Sequence, residues 1–306
     1  MTKRTRWDQP SPVLRLSVVE IEKNLASIRE MLARPDLPDK LAADVSGPAR
    51  VVRGRTGGGE EGGCGVKHVV LFSGGAASSY VAWLVAELYG REDTILLFND
   101  TQAEHPDAYR FRREVAAYIG LPITEASSGE SLWQCMVRNH ALPSNRIPFC
   151  TGDLKLGPRR RYLKALDEPY ILYNGFGPDE WRRVQRATLR AEANGERVRS
   201  PLWERGITDD EVKGVIREKW RIRLPQPYRY LRHNNCIPCY KAGKWSWYQV
   251  MRHYPEAWAR AVEMEHLIGA MTFPYVTLEE LAETWKRRPP RGAEEHQMAL
   301  PCDCAG

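Results

Sequence analysis

Short apolar runs recur through the middle of the chain, and stretches with helical spacing of apolar residues lie between them. Helical spacing follows residue 80 and predicts further helices over 107–119, 131–139 and 158–165. Apolar runs of this length are typical of parallel strands that are buried on both faces. The alternation predicts an α/β fold, a doubly wound parallel sheet. Its predicted strands are residues 69–72 (VVLF), 94–98 (TILLF), 122–126 and 170–173 (YILY).

The two ends of the chain have a different pattern. Apolar residues from Val18 to Leu32 recur every three or four positions behind a Ser17/Glu20 capping box, which predicts an N-terminal amphipathic helix. We expect this helix to pack on the protein's own core, with a dimer or partner seam as the alternative. In the last third, helices are predicted over 209–219, 246–264 and 278–286.

These patterns divide the chain into five parts. They are an N-terminal helix and flexible arm (1–36), a Pro/Gly-rich linker (37–66), an α/β domain (67–206), a helical C-terminal region with a CxxC element (207–288) and a flexible tail (289–306).

Composition narrows the class of protein. The 306 residues are 42% hydrophobic and 27% charged, as in globular proteins, and no run approaches the length of a membrane span. The N-terminus lacks a signal-peptide core, so we expect a cytoplasmic protein without a membrane partner. A net charge of +6 suits phosphate-bearing ligands or nucleic acid, although an ordinary surface gives the same value. Seven cysteines in a reducing compartment favour metal ligands, redox chemistry or buried thiols over disulfides.

A small-residue loop follows the first predicted strand. Ser73, Gly74 and Gly75 separate the strand from a helical pattern that begins near Ser78 and Ser79. Glycines let backbone N–H groups approach an oxyanion, and the helix dipole adds partial positive charge. The loop is therefore a candidate phosphate site, and a plain tight turn is the alternative.

Polar clusters follow two further strands. Asp100 and Glu104 follow the second strand, where an acid accepts from ribose or base donors or holds Mg²⁺; the alternative is a helix cap. After a turn at Gly175, three arginines on one helical turn suit phosphate or sulfate, with a solvated basic face as the alternative. They are Arg182, Arg183 and Arg186.

The cysteines give the most specific chemical signal. Cys236 and Cys239 form a CxxC element, the usual spacing for chelating zinc or an iron–sulfur cluster, and Cys150 is a third candidate. A redox dithiol or an inert pair is the alternative.

Taken in order, these segments resemble the phosphoadenosine-phosphosulfate (PAPS) reductase family, CysH-like proteins within the PP-loop, adenine nucleotide alpha-hydrolase-like group. The resemblance covers roughly residues 67–266, and phage-borne and CRISPR-associated branches of the family exist. Its motifs are Ser73-Gly74-Gly75, Asp100-Thr101 with Glu104 and Pro106, Cys150-Thr151 with Lys155, Gly175 through Glu180 and Arg183, Pro201-Leu202-Trp203, and Cys236 with Cys239.

The resemblance implies an adenine-nucleotide pocket over the sheet, for PAPS, adenosine phosphosulfate (APS) or ATP with Mg²⁺. The residues it implies for the nucleotide are Ser73, Gly74, Gly75, Ser78, Ser79, Asp100, Thr101, Glu104, Lys155, Gly175, Glu180, Arg182, Arg183 and Arg186.

The resemblance also implies a [4Fe–4S] cluster on Cys150, Cys236 and Cys239. The family's tandem cysteine is Phe149 here, which leaves the fourth ligand to Cys135, Cys302, Cys304 or a non-protein group, with zinc as the alternative metal.

Two departures bear on the reaction. ATP-cleaving PP-loop enzymes usually carry an acid where this chain has Ala77, which disfavours ATP pyrophosphate cleavage. Sulfonucleotide reductases use a cysteine in a C-terminal motif, and this chain offers only Cys302 and Cys304 around Asp303, where no local cation lowers a thiol pKa.

Three functions follow from the resemblance. The first is a PAPS- or APS-reductase-like enzyme, and the second is an ATP-using enzyme of nucleic-acid thiolation or phosphorothioation. The third is a non-catalytic nucleotide-binding accessory protein of a defence or CRISPR system. Expected partners are a small-molecule nucleotide and a nucleic acid or protein on the basic surface or N-terminal helix, with a homodimer as a further option.

Overall fold

The computed structural model describes residues 65–234 and 236–290, which lie in one compact unit of the chain. The predicted N-terminal helix, nearly all of the linker, and the tail with Cys302 and Cys304 lie outside the described residues.

The centre of the fold is a parallel sheet of five strands in the order β3-β2-β1-β4-β5. The doubly wound α/β prediction is therefore confirmed. The last strand has two residues and was not predicted. The strands are β1 (Lys67–Leu71), β2 (Thr94–Phe98), β3 (Ile123–Glu125), β4 (Tyr170–Tyr173) and β5 (Val198–Arg199).

Helices connect the strands and form the C-terminal region. The α-helices of the described residues are α1 (Ala76–Tyr89), α2 (Pro106–Ile119), α3 (Leu132–Asn139), α4 (Phe149–Thr151), α5 (Gly157–Ala165), α6 (Trp181–Ala193), α7 (Pro201–Arg205), α8 (Asp209–Gly214), α9 (Lys244–His253), α10 (Pro255–Ile268) and α11 (Leu278–Arg287). Two π-helical turns (Gly152–Leu156 and Val215–Lys219) and two 3-10 turns (Pro178–Glu180 and Gln226–Arg229) complete this part of the chain.

The single helix predicted over 246–264 is wrong, because two helices, α9 and α10, occupy this stretch. Tyr254 between them has non-helical backbone angles, φ −137° and ψ 63°. Pro255 lacks the N–H that would continue the hydrogen-bond ladder, and its ring disfavours a helical residue before it. The proline therefore ends one helix and begins the next.

Strand β1 joins two apolar cores. Val70 packs in the cluster that contains α1 and α2, whereas its neighbour Val69 packs in the cluster on the other face with Leu97 and Leu172. Successive side chains of a strand point to opposite faces, so both faces of β1 are buried. The start of the C-terminal region completes the first core through Ile216.

The C-terminal helices form a further core around Trp247, which is 1% exposed. Met264 and Trp285 pack there with Met136 of α3 and Leu154 of the first π-helical turn. Within the described residues, no helix has the length and apolarity that crossing a bilayer requires.

The first residues of α2 hold a segment from the C-terminal region. The Asp107 carboxylate accepts a hydrogen bond of 2.7 Å from the Gln226 backbone N–H, and Arg110 donates to it at 2.5 Å. These interactions lower the pKa of Asp107 from 3.8 to about 2, with the Arg110 hydrogen bond as the largest cause.

We predict that Asp107→Asn lowers the free energy of unfolding by about 1 to 3 kcal/mol, because hydrogen bonds to a charged acceptor are lost. The wild-type protein should lose this contribution as the pH falls from about 4 to about 2, since the folded pKa is the lower one. Urea unfolding at several pH values measures both effects. Asp167→Asn, at an exposed position, is the control, and an equal loss in both variants would contradict the prediction.

Candidate functional site

The loop after β1 is shaped by its own serines. The Ser73 and Ser78 hydroxyls share a hydrogen bond of 3.0 Å, and those of Ser78 and Ser79 donate to the Gly75 carbonyl. Gly75 is the N-cap of α1, has no side chain for capping, and is followed by no acidic residue in the first turn. No charged side chain of the first turn therefore offsets the helix dipole at this end.

This loop lies where the strand order reverses. From β1 the chain proceeds to β2 and β3 on one side of the sheet and later to β4 and β5 on the other. Ligands of open α/β sheets bind outside the strand ends at such a point. The SGG loop predicted from the sequence therefore lies at the crevice of the fold.

Gly175, just beyond β4, presses against the same loop. A Cβ atom at this position would lie 2.8 Å from the Ser78 backbone nitrogen and 3.0 Å from the Ala77 carbonyl carbon. Real Cβ atoms do not approach backbone this closely, so only glycine fits.

Two side chains of the C-terminal region cover the loop. The Tyr228 hydroxyl accepts a hydrogen bond of 2.9 Å from the Ala76 N–H, and the Asn234 amide donates to the Gly74 carbonyl at 2.8 Å. Neither residue was singled out from the sequence, because each is more than 150 positions from its partner and belongs to no motif.

The predicted acids lie together past β2. The Tyr109 hydroxyl donates to Asp100 at 2.6 Å and lies 3.4 Å from Glu104. Thr101 donates to Glu104 at 2.9 Å. Burial and these carboxylates raise the pKa of Tyr109, so its hydroxyl stays protonated and donates. The arrangement fixes two carboxylates beside the loop.

The CxxC element docks onto this acidic loop. Cys236 Sγ lies 3.1 Å from Thr101 Oγ1 and 3.9 Å from a Glu104 oxygen, and the Ile237 N–H donates to the Ala103 carbonyl at 2.7 Å. Burial raises the pKa of the Cys236 thiol to about 11, although Lys155 acts in the opposite direction.

Lys155 interacts electrostatically with the three cysteines that were predicted as metal ligands, Cys150, Cys236 and Cys239. Cys236 is the largest cause of its raised pKa, with smaller contributions from Glu104, Cys239 and Cys150. Lys155 was predicted to bind nucleotide, and the structure places it among these groups.

The π-helical turn Gly152–Leu156 explains how Lys155 comes to lie near Cys150. Cys150 lies in α4, just before the turn, and Lys155 lies within it, where hydrogen bonds span five residues, as from the Gly157 N–H to the Gly152 carbonyl. In an α-helix each residue turns about 100° around the axis, so side chains five positions apart differ in direction by about 140°. The local backbone therefore places the ammonium on the side of the thiol.

The described residues, as placed, do not form a ligand set for a cluster or for zinc. No three Cys, His, Asp or Glu side chains in this part of the chain converge in that way. Cys135 lies apart, with its thiol 3.7 Å from Asp153, and its pKa is raised to about 11, chiefly by burial. The iron–sulfur and zinc predictions stay predictions, and no step below depends on a metal.

The predicted arginines lie on the exposed face of α6. Arg183 forms an ion pair with Glu180 and lies over the Phe176 ring at 4.2 Å, while Glu180 also accepts from the Gly177 N–H. The Arg186 guanidinium donates to the Arg182 carbonyl. Glu180 and Arg183 thus hold the turn that starts at Gly175.

Comparison with known proteins gives three findings. Residues 67–199 match the family model "Phosphoadenosine phosphosulfate reductase domain". An uncharacterized nin region protein of Escherichia phage lambda is 31% identical over 207 residues, which cover 57% of this chain and 66% of that protein, just under two thirds of its length. The match to a crystal structure of PAPS reductase from Candida auris, a phosphate complex, has a TM-score of 0.40 and a sequence identity of 17%. It covers 70% of this chain and 91% of the chain of that structure.

We predict that Gly175→Ala lowers the free energy of unfolding by about 1 to 3 kcal/mol, because the new methyl group would overlap the backbone at Ser78. Gly177→Ala is the matched control, since a Cβ there would meet no atom within 4 Å. Chemical denaturation of both variants measures the difference. Equal stability would show that the loop yields to a side chain at position 175.

We predict slow alkylation of Cys236 by iodoacetamide below pH 10, because the thiolate is the reactive form and its pKa is about 11. The rate should rise with pH until that value. Lys155→Met should slow the reaction further by removing the cation that lowers the thiol pKa. Peptide mass spectrometry measures the rate, and Lys164→Met, at an exposed site, is the control. Rapid labelling at pH 7 would contradict the raised pKa.

Proposed function

We propose that this chain, whose residues 67–199 belong to the phosphoadenosine phosphosulfate reductase family, binds an adenine nucleotide with its phosphate or sulfate end at the Ser73–Ser79 loop. The observation that carries the proposal is the position of this loop at the strand-order reversal, with the N-terminus of α1 free of acidic side chains. Backbone N–H groups and the helix dipole there suit an oxyanion.

The flanking groups support a nucleotide rather than a bare anion. Asp100 and Glu104 stand just past the neighbouring strand, where carboxylates accept hydrogen bonds from ribose hydroxyls or base amines. Gly175 closes the other side of the loop. The crevice thus offers donors for an anion and acceptors for the sugar or base.

Ala77 favours a sulfonucleotide over Mg²⁺–ATP. It stands in the first turn of α1, where ATP-cleaving relatives usually carry an acid, and alanine supplies no metal ligand there. We therefore propose a PAPS- or APS-type substrate as the first function and ATP-dependent nucleic-acid modification as the alternative.

In the reductase reaction a thiolate attacks the sulfur of the substrate, the bond from sulfur to the phosphate oxygen breaks, and the nucleotide leaves while a cysteine S-sulfonate forms. A thiol reductant then releases sulfite as it forms a disulfide with that cysteine. Burial raises the pKa of both Cys150 and Cys236, which disfavours either as that nucleophile. The proposal assigns the attack to Cys302 or Cys304, as the C-terminal cysteine of sulfonucleotide reductases implies; both lie outside the described residues.

We expect isothermal titration of the full chain to detect binding of adenosine 3′,5′-bisphosphate. Ser73→Ala should weaken binding by about tenfold, because it removes the hydroxyl that holds the loop to Ser78. Thr284→Ala, which removes an exposed hydroxyl from α11, is the control. The absence of binding by the wild-type protein would overturn the proposed function.

Turnover assays separate the three functions. Sulfite release from PAPS or APS with a thiol reductant, lost in a Cys302→Ala/Cys304→Ala double variant, supports the reductase. Conversion of ATP to AMP and pyrophosphate supports the alternative instead. Nucleotide binding without either product supports the accessory protein.

A further inference from the structure

Arg112 is a buried cation directly beneath the nucleotide loop. Only 2% of the residue is exposed. A Cβ atom at Gly74 would lie 2.5 Å from Arg112 Cγ and 2.6 Å from its Cδ, and Gly74 has a φ of +78°. Any side chain at position 74 would therefore collide with the arginine stem. The loop and Arg112 fit together because position 74 is glycine.

The guanidinium packs against two aromatic rings. Its central carbon lies 3.4 Å from the centre of the Phe98 ring and 4.2 Å from that of Tyr109. Both Nη atoms are buried and have no hydrogen-bond partner. A buried cation without such partners is costly, so its retention beneath the loop calls for an explanation.

The charged groups that act on Arg112 include the two carboxylates beside the Ser73–Ser79 loop. Burial lowers the pKa of Arg112, while Glu104 and, more weakly, Asp100 act in the opposite direction. Glu104 also raises the pKa of a second cation, Lys155. Tyr109, which donates to Asp100, also acts on Arg112 through its charge and a side-chain hydrogen bond.

These charges pose a problem for an anionic ligand. Two carboxylates beside the loop repel a phosphate or sulfate group, and charges at short range interact strongly in a partly buried site. A divalent cation bound by Asp100 and Glu104 can also offset such repulsion, but the first turn of α1 adds no further acidic ligand for it. Arg112 supplies a fixed positive charge that acts on both carboxylates.

We propose that Arg112 is the built-in counter-charge of the loop, which offsets Asp100 and Glu104 and lets the site bind the anionic end of a nucleotide without a divalent cation. This inference rests on the proposed nucleotide function and adds a residue that determines its specificity. The arginine acts from beneath Gly74, through its charge.

The test is isothermal titration of the full chain with adenosine 3′,5′-bisphosphate and with uncharged adenosine, each in EDTA and in excess MgCl2. Wild-type affinity for the bisphosphate should be the same in both buffers. Arg112→Met should weaken bisphosphate binding in EDTA by about 10- to 100-fold, the effect of removing one charged partner. MgCl2 should restore part of the loss, and adenosine affinity should stay within about twofold.

Two variants control for charge and for packing. Arg113→Met removes the same charge from an exposed position of α2 and should leave both affinities unchanged. Arg112→Lys keeps the charge and should retain most of the bisphosphate affinity. This variant still tests the role of the charge if Arg112→Met does not fold.

Three results would overturn the inference. In the first, Arg112→Met weakens the binding of adenosine and of the bisphosphate equally, which indicates a packing role only. In the second, the bisphosphate affinity of this variant is unchanged. In the third, MgCl2 strongly tightens bisphosphate binding by the wild-type protein. If wild-type protein binds neither probe, the proposed function itself fails. Loss of only the Arg112 effect leaves that function standing.

Discussion

The contact between the Gly175 backbone and the first turn of α1 sets the geometry on which the site depends. Strand β1 is hydrogen-bonded to β2 on one side and β4 on the other, so the loops that follow β1 and β4 must leave the sheet side by side. Their separation is fixed by a glycine that admits no Cβ. Because the sheet and the helix are both packed in apolar cores, this contact gives the loop one position.

A C-terminal segment then joins the loops at this edge to one another. Gln226 is bound to Asp107 at the start of α2, Tyr228 to α1, and Ile237 to the loop past β2. These contacts make the C-terminal region part of the crevice wall. The chain thus builds one site from residues far apart in sequence, which is usual for doubly wound sheets.

The fold was largely predictable because its strands are short apolar runs. Residues 94–98 and 170–173 form strands with the predicted bounds. Strand β5 was missed because two residues, Val198 and Arg199, carry no periodic pattern. Residues 246–264 were predicted as one helix because the apolar spacing continues through Pro255, which separates α9 from α10.

Only the parts of the site that lie in recognisable sequence motifs were predicted. The SGG loop and the acids past β2 lie at one edge of the sheet, as parallel strand ends must. Arg112 stands in the sequence RFRRE, which reads as the polar face of a helix, and only the packing against Gly74 distinguishes it from Arg113. The position of Lys155 likewise depends on a π-helical turn, for which no sequence pattern was recognised.

That π-helical turn has a consequence for how this segment tolerates changes in length. Removing one residue between Cys150 and Lys155 would let the segment relax into an ordinary α-helix while keeping its hydrogen bonds. Cys150 and Lys155 would then be four positions apart, a spacing that places two side chains on the same face of an α-helix. The loss of one residue from this segment would therefore keep the ammonium on the side of the thiol, so their proximity tolerates a one-residue deletion.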